Sequence, residues 1–206
     1  MKIITISREF GSGGRELGKR LADRLGFDYY DREIITAIAQ AQGMDAGFVE
    51  KTLENHGWRS MPMTFRHSFA APSVMQTAQT RLLLEEKRVV EGIAALGKDC
   101  VIVGRNADVL LAKEKPFSLF VCADIEARIQ RCIERAAEDE KLGRREIERN
   151  IRQIDKNRAR TREIIAGGGW GQAESYHLTV NTTDWSIRDL TPAVADFAQS
   201  FFGRKQ

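Results

Sequence analysis

The chain opens on an apolar, β-branched run, Ile3, Ile4 and Ile6, which gives way to Gly11, Ser12, Gly13 and Gly14 and then to Leu17, Leu21 and Leu25. The first spacing predicts a buried strand over 2–6, and the second a helix over about 15–25 that Gly26 stops. A short strand is predicted from Phe27 to Tyr30, and a helix follows Asp31 with Ile34, Ile35 and Ile38 apolar. Gly57, Pro62 and Pro72 punctuate a looser stretch that carries His56, Trp58 and His67. Further on come a long helix from about Ser73 to Leu96 and the apolar strand Cys100 to Val103, ending at Gly104, Arg105 and Asn106. A strand from Ser118 to Cys122 precedes two arginine-rich helical segments, separated near Gly143. A glycine run at 167–169, a strand from His177 to Val180 and a helix holding Leu190, Val194, Phe197 and Phe201 close the chain.

Five apolar strands alternating with helices indicate an α/β fold whose parallel sheet is covered on both faces, with ligands held beyond the carboxyl ends of the strands. The glycine loop, Asp31, Arg105 and Asp124 all fall at such ends. Gly11, Gly13 and Gly14 let backbone N–H groups crowd round an anion, and the following helix aims its positive end there. A nucleotide's phosphate chain is the expected ligand, with a plain strand-to-helix turn as the alternative. Gly11 and Gly13 also begin the dinucleotide pattern G-x-G-x-x-G, but its third glycine falls on Glu16, a carboxylate where a pyrophosphate would lie. The phosphate-loop pattern places Lys and then Ser or Thr after its last glycine, whereas Arg15 and Glu16 follow Gly14.

A hydrophobic share of 42% and a charged share of 30% over 206 residues suit one globular domain with its own core. No apolar stretch reaches the length of a membrane span or a secretion signal, so a soluble, cytoplasmic protein without membrane partners is expected. Cys100, Cys122 and Cys132 have no metal-ligand spacing, and neither disulfides nor zinc are expected. The net charge of +3 is mild, yet eight basic residues crowd 144–162. Interleaved Glu146, Glu148 and Glu163, and the lack of aromatic residues for base stacking, favour a solvated, ion-paired face over a nucleic-acid surface.

Within that segment Ile147, Ile151 and Ile154 mark an apolar stripe whose continuation falls on 158 and 161. Arg158 therefore projects inward, where it needs either Asp155, three residues earlier, or an anionic ligand. Arg128, Arg131 and Arg135 share one helix face and can converge on one anion or lie solvated beside Glu134 and Glu138. Arg105, directly after a buried strand, faces the ligand crevice, and its planar fork suits a phosphate. His56, His67 and His177 show no metal or relay spacing, and Trp170, in its glycine-rich setting, either stacks on a base or plugs a gap, with packing the favoured reading.

Residues 6–15, together with the run from Gly11 to Leu25, Gly26, Phe27, Tyr29 and Asp31, resemble the cytidylate kinases, and more closely their cytidylate-kinase-like branch. Gly104 with Arg105, Asp155 with Arg158, and Trp170, Gly171, Tyr176 and Asn181 extend the resemblance over most of the chain. It implies a three-layer P-loop NTPase sandwich with a five-stranded parallel sheet, spanning 1–206 as one domain, with a helical monophosphate-binding insertion at about 32–98 and an arginine-rich lid at about 125–165. It also implies transfer of the γ-phosphoryl of ATP, with Mg2+, to a nucleoside monophosphate such as CMP or to another small phosphate acceptor. The implied donor site comprises Gly11, Ser12, Gly13, Gly14, Arg15 and Glu16, with Glu16 toward the metal. Arg15, Arg131 and Arg135 are the implied catalytic arginines, and Asp31, Arg105, Asp155 and Arg158 the acceptor seat. In the ungapped alignment the loop lysine falls on Gly14, the threonine on Glu16, the aspartate after Gly-Arg on Asn106, and an acceptor arginine on Ala37. Arg15, one residue on, or Arg8, across the loop, is left to supply the missing cation. The rival reading is a nucleotide-binding sensor of the same fold without transfer activity.

Overall fold

A computed structural model describes residues 1–43, 72–136 and 142–204. His56, Trp58, His67 and Glu138, singled out above, lie outside the described residues. Strand β1 (Ile3–Arg8) runs into the glycine loop and helix α1 (Gly14–Leu25), followed by β2 (Asp28–Tyr30), α2 (Arg32–Gln42) and α3 (Pro72–Ala95). Next come β3 (Cys100–Val103), the one-turn α4 (Ala107–Leu110), β4 (Phe117–Cys122), α5 (Ile125–Arg135) and α6 (Arg144–Ala166). β5 (Leu178–Asn181) and α7 (Ile187–Gly203) complete the chain. The expected strand at 27–30 begins one residue later because Phe27 turns into the core beside α1, its N–H held by the Ala22 carbonyl. The short α4 had no signal of its own in the hydrophobic pattern.

The sheet has the order β2-β3-β1-β4-β5, with every pair parallel. Side chains alternate between faces along a strand, so each strand feeds two cores. Ile4, Ile6, Val101, Val103, Leu119 and Val121 pack against Leu17 and Leu21 of α1 and Ile187, Val194 and Ala198 of α7. On the other face Ile3, Cys100 and Ile102 meet Ile34 of α2 and Leu82 and Val90 of α3. A third, small cluster of Ile129, Ile147 and Ile151 joins α5 to α6 and takes in Phe10 from the glycine loop. The arginine-rich helices are thereby fastened directly to the loop. No helix among the described residues is long and apolar enough to cross a membrane.

At the foot of β4, His177 accepts the Ser118 amide on Nδ1 at 3.0 Å, and its ring packs on Phe201 with centroids 4.5 Å apart. Burial pushes its pKa below the ordinary histidine value. The folded chain therefore binds fewer protons here than the unfolded chain. This contribution to stability is complete above the unfolded value of about 6.5 and is lost as pH falls toward the depressed one. Urea midpoints should drop between about pH 7.5 and about pH 5.5, and His177→Gln should reduce that drop. An equal drop in the variant would assign the effect to other groups.

Candidate nucleotide and acceptor site

The loop between β1 and α1 turns at Gly11 (φ 78°) and Gly13 (φ 84°), backbone values that a side chain disfavours. Gly13 caps α1 and offers no side-chain acceptor to its first turn, so the opening N–H groups of the helix face the loop. Four carbonyls at the end of β1 and in the loop have a side-chain donor. Arg158 reaches the Arg8 carbonyl at 3.0 Å, the Ser12 hydroxyl the Glu9 carbonyl at 2.8 Å, Arg128 Nε the Phe10 carbonyl at 2.7 Å, and the Thr182 hydroxyl the Ser12 carbonyl at 2.7 Å. With these four acceptors held, the N–H groups of Gly11, Gly13 and Gly14 and the α1 dipole are the part of the loop suited to an anion.

Asp155 of α6 secures this arrangement. Its Oδ1 accepts the Phe10 amide at 2.8 Å, and its Oδ2 is bonded to Arg128. Burial raises its carboxyl above the ordinary range, while the Phe10 amide, Arg128 and Arg158 pull it back. Arg128 also lies 3.2 Å from Glu9, whose carboxylate holds the Ala123 amide at 3.0 Å. Asp155 thus serves the loop directly, and Arg158 stands 3.8 Å from it.

The three arginines of α5 do not meet at one point. Arg128 is buried under the loop, Arg131 donates to the Thr182 hydroxyl and carbonyl, and Arg135 pairs with Glu16. Glu16 also pairs with Arg20 at 2.9 Å, so both its oxygens are engaged by guanidinium groups. Among the described residues no cluster of His, Cys, Asp and Glu forms a metal seat.

Two openings flank the loop. Arg15, Glu16, Asp31 and Arg135 line one, where Arg15 Nε stands 2.5 Å from Asp31. Arg8, Arg105 and Arg158 line the other with Glu86, Asn106 and Trp170. Arg105 (φ 60°) and Asn106 (φ 47°) sit in the sparsely populated left-handed region, at a strain of about 1–3 kcal/mol each. Glu86 of α3, 3.8 Å from Arg105 and 2% exposed, was missed by the sequence reading. Its signal was present, since Leu82, Glu86 and Val90 form one inward stripe at spacings of four. Arg162 was missed too, a buried arginine bonded to Asp108 at 2.6 Å that fixes the end of α6 to α4.

The model of the cytidylate kinase-like family matches residues 3–184. The chain belongs to the cytidylate kinase-like family. Among solved structures, this family member is similar to an uncharacterized protein from Eubacterium ventriosum, with a TM-score of 0.70, 20% identity, and coverage of 97% of this chain and 99% of that one. It is also similar to a shikimate kinase from Acinetobacter baumannii in complex with shikimate (TM-score 0.57, 16% identity, 99% and 96% covered). A shikimate kinase from Bacteroides thetaiotaomicron compares at TM-score 0.58 and 13% identity, with 96% and 98% covered. At these identities the structures establish the P-loop kinase fold. No curated protein matches the chain by sequence.

Arg128→Met removes the clasp between loop, Glu9 and Asp155 while keeping an apolar stem. Breaking a buried pair costs roughly 3–5 kcal/mol, and Arg128→Met with Asp155→Asn should cost less than the sum of the single changes. Urea unfolding measures both, and a loss below about 1 kcal/mol, the value of an ordinary surface pair, would refute the clasp.

Proposed function

We propose that this cytidylate kinase-like protein transfers the γ-phosphoryl of ATP, taken with Mg2+, to a small anionic acceptor, a nucleoside monophosphate such as CMP. The observation that carries the proposal is the loop whose Arg8, Glu9, Phe10 and Ser12 carbonyls are held by side chains, beside a crevice walled by three guanidinium groups. Family membership supports a phosphotransferase, and the P-loop kinase fold agrees with it. Gly11, Ser12, Gly13 and Gly14 hold the donor phosphates through backbone N–H, with Arg15 at the loop's edge. Arg131 and Arg135, carried on α5, close toward the transferring group. Asp31, Arg105, Asp155 and Arg158 frame the acceptor side, Asp155 by holding the loop and Arg158 in register.

An acceptor phosphate is already anionic at neutral pH and needs no side-chain base. The protein's work is to align two polyanions, offset their repulsion and exclude water. Gly14 at the lysine position favours a second reading, nucleotide binding without transfer, because loss of that charge removes transition-state stabilisation unless another cation replaces it.

A coupled assay with MgATP against CMP, other nucleoside monophosphates and shikimate decides between the two. Turnover with a monophosphate is expected. Arg158→Ala should raise the acceptor KM about tenfold to a hundredfold, the value of a lost charge-assisted bond, and raise the ATP KM less. ATP binding with no turnover for any acceptor supports the second reading, and an unchanged acceptor KM removes Arg158 from the acceptor seat.

A further inference from the structure

The phosphate-loop pattern G-x-x-x-x-G-K-[ST] has glycine at its first position and lysine at its seventh. With Gly13 as its second glycine, the first position of this chain is Arg8 and the seventh is Gly14. Cation and glycine have exchanged places, and the packing explains why the exchange is reciprocal. A Cβ on Gly14 would stand 2.7 Å from the Cβ of Arg8 and 3.1 Å from its Cγ, so the stem of Arg8 fills the space a lysine at 14 would need. At the end of β3 a Cβ on Gly104 would stand 1.8 Å from Arg8 Nη1. Arg8 threads between two positions that carry no side chain. Its guanidinium ends 3.5 Å from Asp31, on the wall shared with Arg105 and Arg158.

We propose that Arg8 is the phosphate-contacting cation of this loop, delivered from the last residue of β1 instead of the first turn of α1, and that it bridges donor and acceptor phosphates. The inference rests on the phosphotransferase reading for the identity of the anion. Arg8 is 8% exposed and held on both sides, so its charge is pre-positioned, whereas the Arg15 side chain is 50% exposed at the outer rim. Asp31 pairs with both, so either arginine can turn to a phosphate without stranding the buried carboxylate. A guanidinium also presents a fixed planar fork that grips two phosphate oxygens side by side, where a lysine acts as a point charge.

Isothermal titration with inorganic tripolyphosphate and with ATP tests this on the wild type, Arg8→Gln, Arg15→Gln, Gly14→Lys and the double change Arg8→Gly with Gly14→Lys. Arg8→Gln should weaken tripolyphosphate binding about tenfold to a hundredfold, and Arg15→Gln less than about fivefold. Gly14→Lys alone should lose binding or fold, because two side chains then claim one space. The double change restores the usual pattern and should bind better than either single variant. Equal losses for Arg8→Gln and Arg15→Gln, or a folded double variant that binds no better than Arg8→Gln, would overturn the proposal. If Arg8→Gln does not fold, the double variant decides alone: binding supports Arg8 and a folded, non-binding protein overturns it. Wild type that binds tripolyphosphate without transferring phosphoryl to any acceptor refutes the transferase reading and leaves Arg8 in place, whereas wild type that binds neither ligand refutes both.

Discussion

A loop that offers its N–H groups to an anion must find other partners for its carbonyls, and much of this molecule is organised around that requirement. Four such needs, at Arg8, Glu9, Phe10 and Ser12, are met by Arg158, the Ser12 hydroxyl, Arg128 and Thr182. Three of these donors come from α5, α6 and the segment after β5, which are distant in sequence. Asp155 then fixes Arg128 and the Phe10 amide together, so that the loop, α5 and α6 are held by one carboxylate. Buried polar backbone rarely goes unpaired, and here the pairing also sets the direction of the loop.

The same accounting sorts the arginines. Those of α6 that face solvent, such as Arg149 and Arg152, pair with Glu146 and Glu148 one turn away and contribute little to stability. Those that face inward, Arg158 and Arg162, each hold a backbone carbonyl elsewhere in the chain. Arg135 and Glu16 connect α5 to the outer face of α1 across the mouth of the loop, at the exposed end of the same helix whose buried end carries Arg128. One helix therefore reaches both the inner wall and the rim of the cradle.

Much of the fold was legible because strand alternation and helical stripes are strong signals. The order of β1, α1, β3 and β4 follows from Ile3, Ile4 and Ile6, from Leu17 and Leu21, and from the apolar runs at 100–103 and 118–122. Arg158 was legible for the same reason, as a charge on an apolar stripe. The partition of Arg128, Arg131 and Arg135 was not, because helical spacing says which residues share a face and nothing of what meets that face. Asp155 was read as a partner of Arg158 or of a ligand, but its main contacts are the Phe10 amide and Arg128, more than a hundred residues and about thirty residues away. Glu86 obeyed the stripe rule and was overlooked amid a helix rich in exposed charge.

The central claim is that the backbone of the glycine loop holds the phosphate chain, and amide NMR reads it directly. Adding ATP or inorganic tripolyphosphate should move the amide resonances of Gly11, Gly13 and Gly14, while adenosine should leave them in place. Saturating ATP that shifts resonances elsewhere and leaves those three glycines unmoved would contradict the account.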